Sequence, residues 1–261
     1  MIEYLRMLRI GDWIRFYPAI PIVGALIARA MVEQLLLIGL IYFALIGYAF
    51  VVNNYYDVEI DRLHRGKAES NKNPLASGAI SRRGVQITML VLVGVASLSL
   101  GFSLLGFALV LLNLLLVTAY SGGPRLKDVP ILDIVTHGLM FGAVPFLAGF
   151  ALVRGEVTYE ALLLTALPFL LGCQALIAHQ VVEYEMDIDS TKTTITRLGQ
   201  GKGLLLLGVL AVASIVILFG VTNVARLPSW ALAATGWYLL AYPAYSCRGI
   251  FSDIRHRASA E

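Results

Sequence analysis

Long apolar runs alternate with short polar ones along the whole chain. A helix that crosses the hydrocarbon of a membrane needs roughly 20 mainly apolar residues. Eight runs approach that length: 14–31, 34–53, 85–103, 104–121, 131–152, 158–181, 203–222 and 228–247. Only "FSLLGF" separates the third from the fourth. The period-two alternation of a transmembrane barrel is absent. The pattern predicts an all-α, polytopic transmembrane helical bundle of eight spans, and an even number puts both ends of the sequence on one side.

Composition agrees with that picture. The 261 residues are 58% hydrophobic and 14% charged, whereas soluble domains run at about 45–50% and about 25%. The stretch "MIEYLRMLRIGDWIRFYP" mixes charge with apolar residues and lacks a small-residue cleavage site, so no cleavable signal peptide is expected. Cys173 and Cys247 lie in apolar stretches and read as packing residues.

Charge changes the picture by its distribution. Of the 20 Lys and Arg, all but Arg29, Arg154 and Arg226 fall on one side of the eight-span arrangement. Positive charge favours the cytoplasm, so the termini and the long loops are expected there, in a cell-membrane protein. The acids follow: "DVEIDRLHRGKAE" and "EYEMDID" hold eight of the 17 Asp and Glu, each at the cytoplasmic end of a span.

These two acidic stretches match. "NNYYDVEID" (53–61) and "HQVVEYEMD" (179–187) pair Asn53 with His179, Asp57 with Glu183, Glu59 with Glu185 and Asp61 with Asp187. The chain is therefore read as one domain with pseudo-repeat halves, about 14–121 and 131–247, a symmetry common in polytopic membrane proteins. Positions 53, 57 and 61 are i, i+4 and i+8, one stripe of a helix; 179, 183 and 187 form another. Stacked carboxylates repel, and a cation between them reverses the sign. Carboxylates with an amide oxygen are hard ligands suited to Mg²⁺, which completes its shell with water and phosphate oxygens. A lone acidic helix end is ordinarily just solvated. Two matched stripes on one membrane face, each beside cations, favour two magnesium ions around one diphosphate.

Cations suited to phosphate surround the stripes: Arg65, Lys67 and Lys72 after the first, Arg125 and Lys127 in "AYSGGPRLKD" with Tyr120, and Lys192 and Arg197 after the second. Headgroup anchoring accounts for some, Arg82 and Arg83 first among them. "NPLASG" (73–78) and "SGGP" (121–124) are turn material. No GxxxxGK[ST] phosphate loop occurs, and nothing calls for a nucleic-acid partner. His179 is expected to stand behind the ligands, and Asp133 with His137 to form a structural pair.

Together these motifs resemble the UbiA superfamily of intramembrane prenyltransferases. "NNYYDVEID" resembles its NDxxDxxxD signature, "EYEMD" its second acidic motif, "TTITRLG" the segment that follows, "YSGGPRLK" its tyrosine-and-lysine loop, and "NPLASGAIS" its Ser-Gly turn. The resemblance runs from about residue 15 to 200. It implies a bundle around a central cavity, of eight spans here or nine by the family's usual count, with a Mg²⁺-bound prenyl diphosphate at the cytoplasmic end. It implies that Asn53, Asp57 and Asp61 hold one magnesium and that Glu183 and Asp187 hold the other. Lys67, Arg125 and Lys127 would neutralise the diphosphate and Tyr120 would donate to it, with Asn54, Lys72, His179 and Lys192 also near substrate. The expected activity is Mg-dependent transfer of a prenyl group to a lipophilic or aromatic acceptor within the membrane, as in quinone or lipid biosynthesis. This sequence departs from the pattern at Asn54, where Asp is usual, at Glu183, where Asp is usual, and at Asn73, a place often taken by Arg, which weakens the phosphate pocket or marks a subgroup. Two rival readings remain: a phosphoribosyl-type transferase acting on a polyprenyl phosphate, whose second motif is poorer in acids, and an ion-coupled transporter, whose acids would lie near mid-membrane.

Overall fold

The computed structural model describes residues 2–63, 73–188, 191–225 and scattered positions between 235 and 250 (235–237, 239, 241–242, 245–247 and 250). These residues are helical, with no strand among them. Among the described residues six helices are long and apolar enough to cross a membrane: Val32–Tyr56, Arg82–Gly101, Leu104–Ser121, Leu132–Arg154, Tyr159–Val182 and Gln200–Val221. They correspond to the second to seventh runs of the sequence. In the first run the regular helix is only Ala19–Ile27, and the eighth run lies mostly outside the described residues.

Side chains explain the boundary between the third and fourth spans. Ser97 and Ser99 donate to the carbonyls of Val93 and Ala96, and the last turn tightens to a 3₁₀ helix over Ser97–Gly101. Ser103 then caps the next helix by accepting from the Gly106 N–H at 3.0 Å.

The chain divides into two compact units. The first comprises residues 1–125 and 144–161. Its axis is Val32–Tyr56, which buries Ile38, Ile41, Tyr42, Leu45, Val51 and Val52. The N-terminal segment braces the end of that helix. Trp13 is fully buried, donates from Nε1 to the Leu8 carbonyl at 2.7 Å, and lies against Phe43 and Phe50. Met7 and Leu8 join Ala44, Val51, Val58, Leu75, Ile80 and Val85 in one apolar cluster. The first span crosses the end of the fifth so closely that a β-carbon on Gly24 would overlap the Phe146 carbonyl, and one on Gly149 that of Pro21. Such small-residue crossings let membrane helices pack backbone to backbone.

The second unit comprises residues 126–143 and 162–261. Ile134, Cys173, Leu176, Ile177, Val181, Ile195, Leu207 and Cys247 form its core, so both cysteines pack as expected. The sixth span breaks at Thr165 between Tyr159–Leu164 and Ala166–Val182, because Pro168 has no N–H for the Leu164 carbonyl and crowds it. The fifth span widens into a π turn over Leu139–Ala143.

Candidate active site: two acidic stripes

The first stripe lies in the first unit. The second span ends at Tyr56, Asp57 leaves the helix (φ −92°, ψ 4°), and a short helix resumes over Val58–Leu63. The single straight helix expected from the spacing is thus broken. The bonds nevertheless continue, from Asp57 N–H to the Asn53 carbonyl at 3.0 Å and from Asp61 N–H to the Asp57 carbonyl at 2.8 Å, so the i, i+4, i+8 order survives. Asp57 occupies the sparsely populated bridge region, where active-site residues are often found.

Every side chain of this stripe is held. Asn53 Oδ1 accepts from Ser121 Oγ at 3.1 Å. Asp57 Oδ1 accepts from both terminal nitrogens of Arg125 at 3.3 Å, in a pair whose side chains are 14% and 30% exposed. Asp61 is buried, and its Oδ2 accepts from Asn73 Nδ2 at 2.8 Å. Arg125 reaches Asp57 from a left-handed backbone (φ 48°) just after Gly123 (φ 37°). A left-handed non-glycine residue costs roughly 1–2 kcal/mol, a strain tolerated here where the turn aims a guanidinium at a carboxylate. Asn54 is buried as well and donates to the Met7 carbonyl at 3.3 Å.

The second stripe lies in the second unit, and its backbone repeats the first. Ala166–Val182 ends, Glu183 leaves the helix (φ −90°, ψ 6°), and Tyr184–Asp187 resumes. Glu183 N–H bonds the His179 carbonyl at 3.0 Å and Asp187 N–H bonds the Glu183 carbonyl at 3.1 Å. His179 Nε2 lies 3.3 Å from Glu183 Oε2, with the two side chains 62% and 32% exposed. Gln180 stands where the repeat offset places Asn54, and it too is a buried amide that fastens the helix end to another segment. Its Nε2 donates to Asp133 Oδ2 at 2.9 Å.

Asp133 and His137 do not serve as the expected pair. His137 Nδ1 bonds the Gly172 carbonyl at 2.8 Å. Asp133, fully buried, accepts from Gln180, from the N–H and hydroxyl of Thr194, and from the Ile134 N–H. Thr194 Oγ1 in turn accepts from Ile131 N–H at 2.6 Å, which holds that β-branched residue at φ 74°. The carboxylate ties the segment after the second stripe to the start of the fifth span.

Of the other expected site residues, Tyr120 is half-buried at the end of the fourth span and Lys127 half-buried in the 3₁₀ turn Leu126–Asp128. Lys192 and Arg197 are exposed. Lys67 and Lys72, like Arg65, fall outside the described residues. Arg82 pairs with Glu59 at 3.2 Å and lies over the Tyr55 ring. Ser121 and the support given by Asn73 went unread in the sequence. Serine in "YSGGP" looked like turn material, although it lies one turn before Arg125.

Among the described residues no three His, Cys, Asp or Glu side chains form a ready-made metal cage. Mg²⁺ does not require one, since it is commonly bound through one or two carboxylates plus substrate phosphates. Asn53, Asp57 and Asp61 in the first unit, and Glu183 and Asp187 in the second, offer the oxygen donors that this ion prefers.

Acids and cations thus lie at the ends of apolar spans in both units. Residues 18–253 match the UbiA prenyltransferase family, and the chain belongs to that family. It is 30% identical over 170 residues to a digeranylgeranylglyceryl phosphate synthase of Methanoculleus marisnigri, a match covering 64% of this chain and 57% of that protein. The chain thus spans little more than half the length of this curated relative. The fold resembles that of an Archaeoglobus fulgidus UbiA homolog bound to GPP and Mg²⁺ (TM-score 0.78, 23% identity, 92% of this chain and 86% of that one). It also resembles that homolog bound to DMAPP and Mg²⁺ (0.80, 24%, 92% and 85%), and an apo UbiA homolog from Aeropyrum pernix K1 (0.76, 21%, 90% and 88%).

Proposed function

We propose that this protein transfers a prenyl group from an isoprenyl diphosphate to a lipophilic acceptor within the membrane, in a Mg²⁺-dependent reaction at the cytoplasmic face. The observation that carries this reading is the first stripe, two carboxylates at the end of a span with Arg125 drawn onto one of them. Homologs of the same fold bound to GPP or DMAPP with Mg²⁺ support it. On this reading each stripe would hold a magnesium ion of the prenyl diphosphate. Asn53, Asp57 and Asp61 would hold one ion, and Glu183 and Asp187 the other.

Magnesium would supply charge stabilisation to the departing diphosphate. Arg125 and Lys127, with Lys67 and Lys72 from the preceding loop, bind and neutralise the same leaving group. Tyr120 donates to it. Asn54 orients the end of the second span, Lys192 adds a peripheral cation and His179 orients Glu183. The allylic C–O bond breaks, the diphosphate leaves with the electron pair, and an acceptor oxygen or carbon forms the new bond and gives up its proton. The spans keep water from the allylic cation. The acceptor class we favour first is a lipid hydroxyl, given the kinship to a digeranylgeranylglyceryl phosphate synthase.

Purified protein incubated with Mg²⁺, labelled geranylgeranyl diphosphate and a panel of lipid, quinone-precursor and porphyrin acceptors should yield a prenylated product that chelation abolishes. No product with any acceptor and any prenyl length would remove the enzyme reading. The orientation has its own test: a reporter fused at residue 261 should report the cytoplasm.

A further inference from the structure

Asn73 lies against the first stripe. It is buried, 6% exposed, and its amide is saturated. Nδ2 donates to the Asn54 carbonyl and to Asp61 Oδ2, both at 2.8 Å. Oδ1 accepts from the N–H groups of Leu75 and Ala76 at 3.2 and 3.3 Å. A side-chain amide has two donor hydrogens and two acceptor lone pairs, so Asn73 has no capacity left for a ligand. The two accepted bonds shape the turn before Ser77. A turn needs no more than those, and the two donated bonds do something else: they fasten one oxygen of Asp61 to the end of the second span.

The two acids of the stripe are thereby held in chemically different ways. Asp57 faces a guanidinium, which attracts the carboxylate that a metal ion would also attract. Asp61 faces a neutral amide, which orients a carboxylate without offsetting its negative charge. We propose that Asn73 is a positioning residue that presets Asp61 as the stronger divalent-cation ligand of the first stripe, holding one oxygen and leaving the carboxylate's charge and second oxygen for the ion. This role rests on the reading of the stripe as a metal–diphosphate site. It gives Asn73 a role of its own beside the expectation that Asn in this place weakens the phosphate pocket or marks a subgroup. Partners that orient a ligating carboxylate typically set metal affinity by about 10–100-fold.

Mn²⁺ titrated against purified protein and followed by electron paramagnetic resonance, with an unreactive prenyl thiolodiphosphate present, reads this role without turnover. Asn73→Ala should bind Mn²⁺ about tenfold more weakly than wild type. It should raise the Mg²⁺ concentration for half-maximal turnover by a similar factor, with a smaller loss at saturating Mg²⁺. Asn73→Ser, which keeps an oxygen for the Leu75 and Ala76 N–H groups, guards against misfolding and should show the same weakening. Wild-type Mn²⁺ affinity in a folded Asn73→Ser protein would overturn the proposal and leave Asn73 a turn former. A wild-type protein that neither binds Mn²⁺ nor transfers a prenyl group would overturn the enzyme reading beneath it.

Discussion

The two acidic stripes share a backbone and differ in how their side chains are held. Asp57 and Glu183, 126 positions apart, break their helices with nearly the same dihedral angles (−92°, 4° and −90°, 6°), and both breaks are bridged by the same pair of i, i+4 bonds. The first stripe is then pinned by Ser121, Arg125 and Asn73. In the second, Glu183 faces an exposed His179 on its own helix, and the stronger fastening lies behind the stripe at Asp133. A repeat of acids at fixed spacing specifies where a helix can break and which residues share a face. It does not specify preorganisation, which depends on what distant segments bring. The first stripe's acids are held by Arg125 and Asn73, which lie 68 and 12 positions away.

The largest test of this contrast is Asp61→Asn. The amide still accepts from Asn73, so folding should be kept, while the proposed metal ligand loses its charge. Turnover should fall about a thousandfold or more, the upper range for removing one preorganised electrostatic group. Near-normal prenyl transfer by this variant at low Mg²⁺ would end the metal role of the first stripe.

Asp133→Ala probes the second unit. It strands the donors of Gln180 and Thr194 and releases Ile131 from its left-handed backbone. Stranded buried donors cost about 1–3 kcal/mol each, so thermal unfolding in detergent should register a loss of about 3 kcal/mol. A stability within error of wild type would mean that the clamp is idle.

Much of this was legible in the sequence because membrane helices announce themselves by length and hydropathy. The second to seventh spans emerged within a few residues of their runs, and the stripes emerged because carboxylates are rare near hydrocarbon and conspicuous when periodic. The helix breaks at Asp57 and Glu183 were not legible, since an i+4 pattern is the same in a straight helix and a kinked one. Nor were the roles of Asn73, Ser121 and Asp133: each depends on a partner 12 to 68 positions away, and polar residues in turn-like strings look alike until the chain folds back.

Arg125→Gln should have a smaller effect. It keeps a donor near Asp57 but removes the cation from Asp57 and, on the proposed reading, from the diphosphate. Losing one charge-assisted contact to a phosphate is worth roughly 1.5–3 kcal/mol when no water replaces it, and less at this partly exposed turn. A ten- to thirtyfold fall in kcat/KM is expected, about 1.4–2 kcal/mol at 1.36 kcal/mol per decade, expressed mainly in KM for the prenyl diphosphate. If kcat alone fell, Arg125 would be acting on the reacting centre and not on the leaving group's ground-state binding.

The smallest effect is expected at His179→Ala, and it sharpens the comparison most directly. His179 occupies the place of Asn53 in the repeat, yet Asn53 is bonded to Ser121 across 68 positions, whereas His179 reaches Glu183 one turn along its own helix. Exposed i, i+4 pairs contribute at most a few tenths of a kcal/mol, because solvent screens the charges and two mobile side chains must be ordered to meet. His179→Ala should therefore change stability by less than about 0.5 kcal/mol, while Asn53→Ala should reduce activity markedly through the loss of a ligand oxygen. Parallel thermal unfolding and Mg²⁺ titration of the two variants measure the difference. Equal losses in both would show that the second stripe is as firmly built as the first, and that the contrast between them lies in the apo geometry alone.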